Sequence, residues 1–256
     1  MVYTTEQYEG LLAETITIRG HNGDFIHTYM ARPVGPGPYP GIVLIPHGYG
    51  WTEQQKETLR RFAYRGYVGL CPDIWCRSGH GTPEDVLASA RADGGLPDDQ
   101  VVADSAAAAA YIRTLPISNG KVGVIGSCMG GRYTMLSTCR TTGVFDAGVN
   151  CWGGNVVQAQ DKLTPKQPVS PHEYTKDLSC PLLGLFGNDD QNPNPAEVDI
   201  LEQELKKFSK QYEFNRYDEA GHGFFYYDRP SYRQEQSNDG WEKVWTFFEN
   251  HLSTPK

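Results

Sequence analysis

The stretch Lys121-Val122-Gly123-Val124-Ile125-Gly126-Ser127-Cys128-Met129-Gly130-Gly131 decides the fold. Its first six residues are a short apolar run of the buried-strand type. From Met129 or Gly130 to about Cys139 the pattern is helical. Between the two, Gly126-Ser127-Cys128-Met129-Gly130 fits a nucleophile elbow, with Cys128 in the nucleophile position. The chemistry asks for these residue types. A nucleophile on a strained strand-to-helix turn projects above the sheet edge, and flanking glycines avoid Cβ clashes across that turn. The positive N-terminal end of the following helix lowers the pKa of a thiol placed there. A phosphate-binding loop fits less well, because its Gly-Lys-Ser/Thr ending is absent.

Working outward, strands and helices alternate. Thr15 to Arg19 alternates as a strand, His21 to Asp24 is turn chemistry, and Phe25 to Met30 reads as the return strand of a hairpin. Arg32 to Pro38 reads as a rigid loop. Buried strands are predicted over 41–46, 67–72, 121–126, 147–150 and 181–186, with a further strand at 212–217. Helices are predicted over 53–65, from a cap at Asp98 or Asp99 to Thr114, over 129–139, 196–210 and 239–252. Residues 73–97 read as a long polar loop. Residues 152–180 resist assignment and are expected to form a lid, an interface or an irregular insertion. Such alternation implies right-handed βαβ units and a mainly parallel sheet covered by helices on both faces, an α/β class. No linker divides the chain, so residues 1–256 are expected to form one domain.

An elbow requires an acid and a histidine, in the chain order nucleophile, acid, histidine. After Cys128 the histidines are His172, His222 and His251. His222 lies in the glycine-flanked loop Ala220-Gly221-His222-Gly223-Phe224, directly after a strand, where an imidazole reaches the sheet's carboxyl edge. His251 sits in the terminal helix, and His172 follows Pro171 in the irregular segment. The acid should end the preceding strand, where Asp189 and Asp190 both qualify; either could orient the imidazole. An oxyanion hole is expected from the Met129 N–H and from an N–H of Pro46-His47-Gly48-Tyr49-Gly50-Trp51, with Gly48 as donor. His47 is either a pocket residue or a hydrogen-bonding member of that loop.

Together these residues resemble the dienelactone hydrolase (carboxymethylenebutenolidase) family of the α/β-hydrolase superfamily, over roughly residues 15 to 252. Most specific is Ser118-Asn119-Gly120-Lys121-Val122-Gly123-Val124-Ile125-Gly126-Ser127-Cys128-Met129-Gly130-Gly131. Gly69 to Trp75 and Glu219 to Phe224 are also similar. The resemblance implies the α/β-hydrolase fold and a Cys128–Asp190–His222 triad. Asp190 is preferred over Asp189 because the family's acid lies three residues past a glycine, here Gly187, and shortly before a proline, here Pro193. It implies hydrolysis of a lactone or activated ester through a thioester, with no metal or organic cofactor. The family prototypes carry a glutamate where His47 stands and an arginine where Tyr226 stands; for their second carboxylate-binding arginine, Arg91 or Arg77 is the candidate. The aromatics Tyr49, Trp51, Trp75, Trp152, Phe224, Phe225 and Tyr226 then suggest either a larger, more apolar acyl pocket or core packing. A non-catalytic ligand-binding protein on the same fold is the competing reading, and a redox-sensing role for Cys128 is a third.

Composition bounds the alternatives. The formal net charge of −8 argues against nucleic-acid partners. No apolar run is long enough to span a bilayer, and the polar stretch Met1 to Gly10 lacks the features of a secretory leader. The six cysteines, at 71, 76, 128, 139, 151 and 180, suit free thiols in a reducing, cytoplasmic compartment, five of them structural. The 28 glycines and 17 prolines fit a fold with many tight turns. The expected partner is a small ester or lactone, and the expected assembly is a monomer or homodimer.

Overall fold

Eight strands, β1 (Leu11–Arg19), β2 (Phe25–Pro33), β3 (Tyr39–Ile45), β4 (Val68–Pro72), β5 (Ser118–Ser127), β6 (Ala147–Cys151), β7 (Leu182–Gly187) and β8 (Tyr212–Tyr217), form one sheet in the order β1-β2-β4-β3-β5-β6-β7-β8. The computed structural model describes residues 10–253, so the reading of Met1 to Gly10 as lacking a secretory leader lies almost wholly outside them. β1 and β2 run antiparallel, β2 is antiparallel to β4, and every pairing from β4 through β8 is parallel. This is the α/β-hydrolase fold, with a hairpin at one edge of a parallel sheet. The parallel strands all end on one edge, so the loops after β3, β5, β7 and β8 converge there.

Six helices, α1 (Glu53–Tyr64), α2 (Pro83–Ala92), α3 (Asp98–Thr114), α4 (Met129–Arg140), α5 (Pro195–Lys207) and α6 (Gln234–Leu252), accompany it. Alternate residues of β3 point to opposite faces. Ile42 and Leu44 pack with Leu59 and Phe62 of α1 and Val244 and Phe248 of α6. Val43 and Ile45 pack with Val101, Ala108 and Ile112 of α3 and with Tyr133 and Leu136 of α4. Both faces of the central strands are therefore dry, which explains their apolar sequences. Fully covering a side chain such as Phe62 or Phe248 contributes about 1.5–3 kcal/mol.

Three local expectations are corrected. Residues 73–97 are not all loop, because α2 lies within them. Thr82 caps it by accepting the Asp85 N–H at 3.2 Å, Pro83 opens it, and Glu84 and Asp85 occupy its positive end. Neither Asp98 nor Asp99 is the cap of α3. Pro97 holds that position, while Asp98 pairs with Arg132 and Asp99 with Arg140. The helix predicted over 196–210 stops at Lys207, and Phe208 lies just past it, exposed.

Residues 152–180 contain two short 3-10 turns, Gln160–Lys162 and Pro171–Asp177. They are tied to the region before α3. Lys166 O accepts the Asp98 N–H at 3.0 Å, Thr164 Oγ1 donates to Gly94 O at 2.6 Å, and Gln167 Nε2 donates to Leu96 O at 3.2 Å.

Candidate active site

β5 delivers Cys128 onto a turn with φ 55° and ψ −121°, a left-handed conformation that side chains rarely adopt, and α4 starts at the next residue. The turn can be this tight because of Gly126 and Gly130. A Cβ on Gly126 would lie 2.3 Å from the Gly130 carbonyl carbon, and one on Gly130 would lie 2.2 Å from Ile45 O. The elbow thus presses onto the end of β3, beside the loop that follows it.

β7 and β8 bring the other two residues. Asp190, buried after the end of β7, places Oδ2 at 2.9 Å from His222 Nδ1. Its Oδ1 accepts the Asn192 N–H at 2.9 Å, which fixes the carboxylate. Asp189 is an exposed turn residue whose N–H donates to Ala220 O. On its far side His222 faces the Cys128 thiol and interacts with it electrostatically. Burial raises the thiol's pKa, but the facing His222 imidazole with its charge and the Met129 N–H outweigh it and bring the thiol below its ordinary value. For His222 burial acts downward, yet the Asp190 hydrogen bond and the interactions with Cys128 and the Asp190 charge raise it to about 10. Both shifts favour a thiolate facing an imidazolium.

The loop after β3 has its own hydrogen bonds. His47 Nδ1 accepts the Tyr49 N–H at 3.0 Å, so Nε2 carries the proton and donates to Thr52 Oγ1 at 3.2 Å. Burial chiefly, with Arg229 adding, lowers its pKa to about 4, so it is neutral at pH 7. Of the two roles open to His47, the structure shows the loop hydrogen bonds. The Gly48 N–H finds no acceptor among the described residues. Gly48, Cys128 and Met129 border one cavity of about 240 Å³.

That cavity sorts the proposed pocket residues. Trp75 and Arg91 line it. Trp51, Trp152, Phe224 and Tyr226 do not, and neither do His47 or Tyr49. Trp152 and Phe224 are core, with ring centroids 4.8 Å apart, and Trp51 donates to Cys71 O at 3.1 Å beside Tyr29. Phe225 is likewise buried against Trp152. Tyr49 is exposed beside His47. These aromatics fill the space behind the elbow instead of facing the cavity. Arg77, the alternative cation, is committed elsewhere, bonded to Asp24 and to the fully buried Asp104. The cavity wall includes residues the sequence did not single out. Leu87 and Ala90 come from α2, Thr164 and Gln167 from the irregular segment, and Arg132 from α4. The signal for α2 was present in Thr82-Pro83-Glu84-Asp85, a capped helix start. Residues 152–180 thus supply part of the cavity wall.

The model of the dienelactone hydrolase family matches residues 26–252. The chain belongs to the dienelactone hydrolase family. It is 34% identical to a protein of Methylorubrum extorquens provisionally named carboxymethylenebutenolidase, over 94% of this chain and 82% of that one. A Synechocystis protein of the same provisional name is 30% identical, over 88% and 91%. A crystal structure of a Klebsiella pneumoniae protein, provisionally named dienelactone hydrolase, superposes with a TM-score of 0.84 at 27% identity, covering 94% and 99% of the two chains.

Membership of this family makes the chain a dienelactone hydrolase-like hydrolase. Among the described residues no cluster of His, Cys, Asp and Glu is arranged to hold a metal ion, and no helix is long and apolar enough to cross a membrane. Six cysteines are free thiols, of which Cys71, Cys139 and Cys151 are buried. Cys76 is exposed, against its expected placing as a structural residue.

Proposed function

We propose that this chain, acting as a single catalytic domain, hydrolyses small lactones or activated carboxylic esters through a Cys128 thioester. The observation that supports the reading best is the Asp190–His222 hydrogen bond of 2.9 Å beside Cys128 on a strained elbow. The Cys128 thiolate attacks the acyl carbon and forms an S–C bond, and the carbonyl oxygen becomes an oxyanion. The N–H groups of Met129 and Gly48 hold that oxyanion, each contributing about 3 kcal/mol in comparable sites. As the C–O bond breaks, His222 passes its proton to the leaving oxygen. In a lactone that oxygen stays tethered to the acyl group. His222 then takes a proton from water, the hydroxide attacks the thioester, and thiolate and acid separate. Asp190 holds the imidazole in the required tautomer throughout.

The cavity indicates the size and character of the substrate. Trp75, Leu87 and Leu96 give it an apolar side. Arg132 lines it as well, but its charge is matched by Asp98. Arg91, exposed and without an ion pair among the described residues, is the cation left for a carboxylate.

The test is a panel of lactones and p-nitrophenyl esters of graded chain length, run on wild type and Cys128→Ala. Turnover should vanish in Cys128→Ala, with a mass shift of one acyl group trapped on Cys128 in the wild type. Full activity of Cys128→Ala sinks the reading, and stoichiometric acylation without turnover replaces it with ligand binding.

A further inference from the structure

The geometry points to Tyr226 as a positioning residue that, through Ser127, sets the Cys128–His222 alignment; this rests on the catalytic reading above. Ser127 immediately precedes Cys128, and its Oγ lies 2.7 Å from the Tyr226 hydroxyl. Tyr226 closes the turn that follows His222, its N–H donating to Gly223 O at 2.9 Å. Gly223 has φ 77°, and a Cβ there would come within 2.8 Å of the Tyr226 ring, so the turn carrying His222 rests directly on that ring. One side chain therefore grips both loops: its ring supports the histidine turn and its hydroxyl holds the strand end that bears the thiol.

Tyr226 is itself held on several sides. It is buried, with His47 edge-on at 5.7 Å, Trp152 at 5.8 Å and the Arg229 guanidinium at 5.1 Å over its ring. Ser127, Tyr226 and Trp152 also form part of the wall of a small cavity of about 40 Å³ behind the elbow. Two buried atoms of residues lining that cavity, Gln55 Oε1 and Trp152 Nε1, have no partner. The Ser127 backbone is held in the β5–β6 ladder opposite Cys151, and the hydrogen bond to Tyr226 holds its side chain. The titratable and charged groups that face Cys128 are His222 and Asp190. Around Tyr226 they are Cys128, Cys151, Arg229 and the neutral His47.

The experiment compares wild type, Tyr226→Phe, Ser127→Ala, the double variant and Cys128→Ala. It reads kcat and KM on p-nitrophenyl acetate, the pH midpoint of Cys128 alkylation by iodoacetamide, and Tm. Tyr226→Phe keeps the ring and loses only the hydroxyl. Its kcat should fall about three- to tenfold, in line with one lost hydrogen bond, with KM within about twofold. The alkylation midpoint should move up in pH, because a displaced imidazole holds the thiolate less well. Ser127→Ala should behave alike, and the double variant should be no worse than Tyr226→Phe alone. An unmoved midpoint, with or without a lower Tm, or additive losses in the double variant, overturns the proposal. Turnover by Cys128→Ala overturns the catalytic reading beneath it. An inactive Cys128→Ala beside an unaffected Tyr226→Phe overturns the positioning role alone.

Discussion

Arg132 lies one helical turn beyond Cys128, lines the cavity beside it, and makes a bidentate pair with Asp98 at 2.5 and 3.2 Å. Both side chains are nearly inaccessible, at 3% and 4% exposure. Burial raises the Asp98 pKa and outweighs the attraction of Arg132, so the pair is one whose desolvation consumes most of its Coulombic gain. Removing either partner should therefore be costly, and the two losses should differ. In Asp98→Asn the guanidinium remains buried and cannot shed its charge, which costs about 3–5 kcal/mol. For a chain of this size that is a fall in Tm of about 6–20 °C. In Arg132→Met the orphaned carboxyl can take up a proton. Its folded pKa then stands further above its unfolded value of about 4. A group with a raised folded pKa stabilises fully below the unfolded pKa and loses that contribution as pH rises through the folded one. Arg132→Met should thus be nearer wild type at pH 5 than at pH 8, by up to about 1.4 kcal/mol per pH unit across the window. Urea unfolding at pH 5 and pH 8, followed by circular dichroism, measures both. A loss under 1 kcal/mol in Asp98→Asn, or an equal deficit for Arg132→Met at the two pH values, would refute the reasoning.

Two further outcomes follow from the elbow. Since the thiol is brought below its ordinary value and His222 is held at about 10, alkylation of Cys128 should have its midpoint below that of a free thiol. The thiolate–imidazolium state should persist until pH approaches 10; a single midpoint at or above about 8.5, the ordinary thiol value, contradicts this. Gly130→Ala drives a Cβ to 2.2 Å from Ile45 O, backbone against helix, where neither side relaxes cheaply. It should cost about 3 kcal/mol and abolish turnover, as read by Tm and by hydrolysis of p-nitrophenyl acetate; a variant with wild-type Tm would show that the elbow is not pressed onto β3.

The legible parts of the chain are those whose cause is local. Each buried strand of the parallel sheet must be apolar on both faces, so β3, β4, β5 and β7 stand out as short uniform runs. The elbow is legible because its backbone conformation tolerates only certain residues at 126 and 130. α2 was missed because only Leu87 of its ten residues is buried, which leaves no apolar stripe to detect. The aromatic residues could be read as pocket or as core, and their side of the elbow is set by tertiary packing that no spacing reports. Trp152 and Phe224 meet across 72 positions of sequence. The same holds for Asp98, which reads as a cap until α3 and α4 are packed together and Arg132 reaches it.

The two positions that depart from the family prototypes, His47 and Tyr226, prove to be neighbours, with rings 5.7 Å apart at 64°. A carboxylate at one and a guanidinium at the other would face each other in the same buried space, where either alone would be an unpaired charge. Here both are neutral, one by hydrogen bonds that fix its tautomer and one by its phenol. In place of the charged pair that the family resemblance would put here stands an aromatic one, and the consequence lies at the thiol. With no carboxylate at position 47 to compete for the proton, the state of Cys128 depends on His222 and on whatever holds His222 in line, which is the work assigned above to Tyr226 and Ser127.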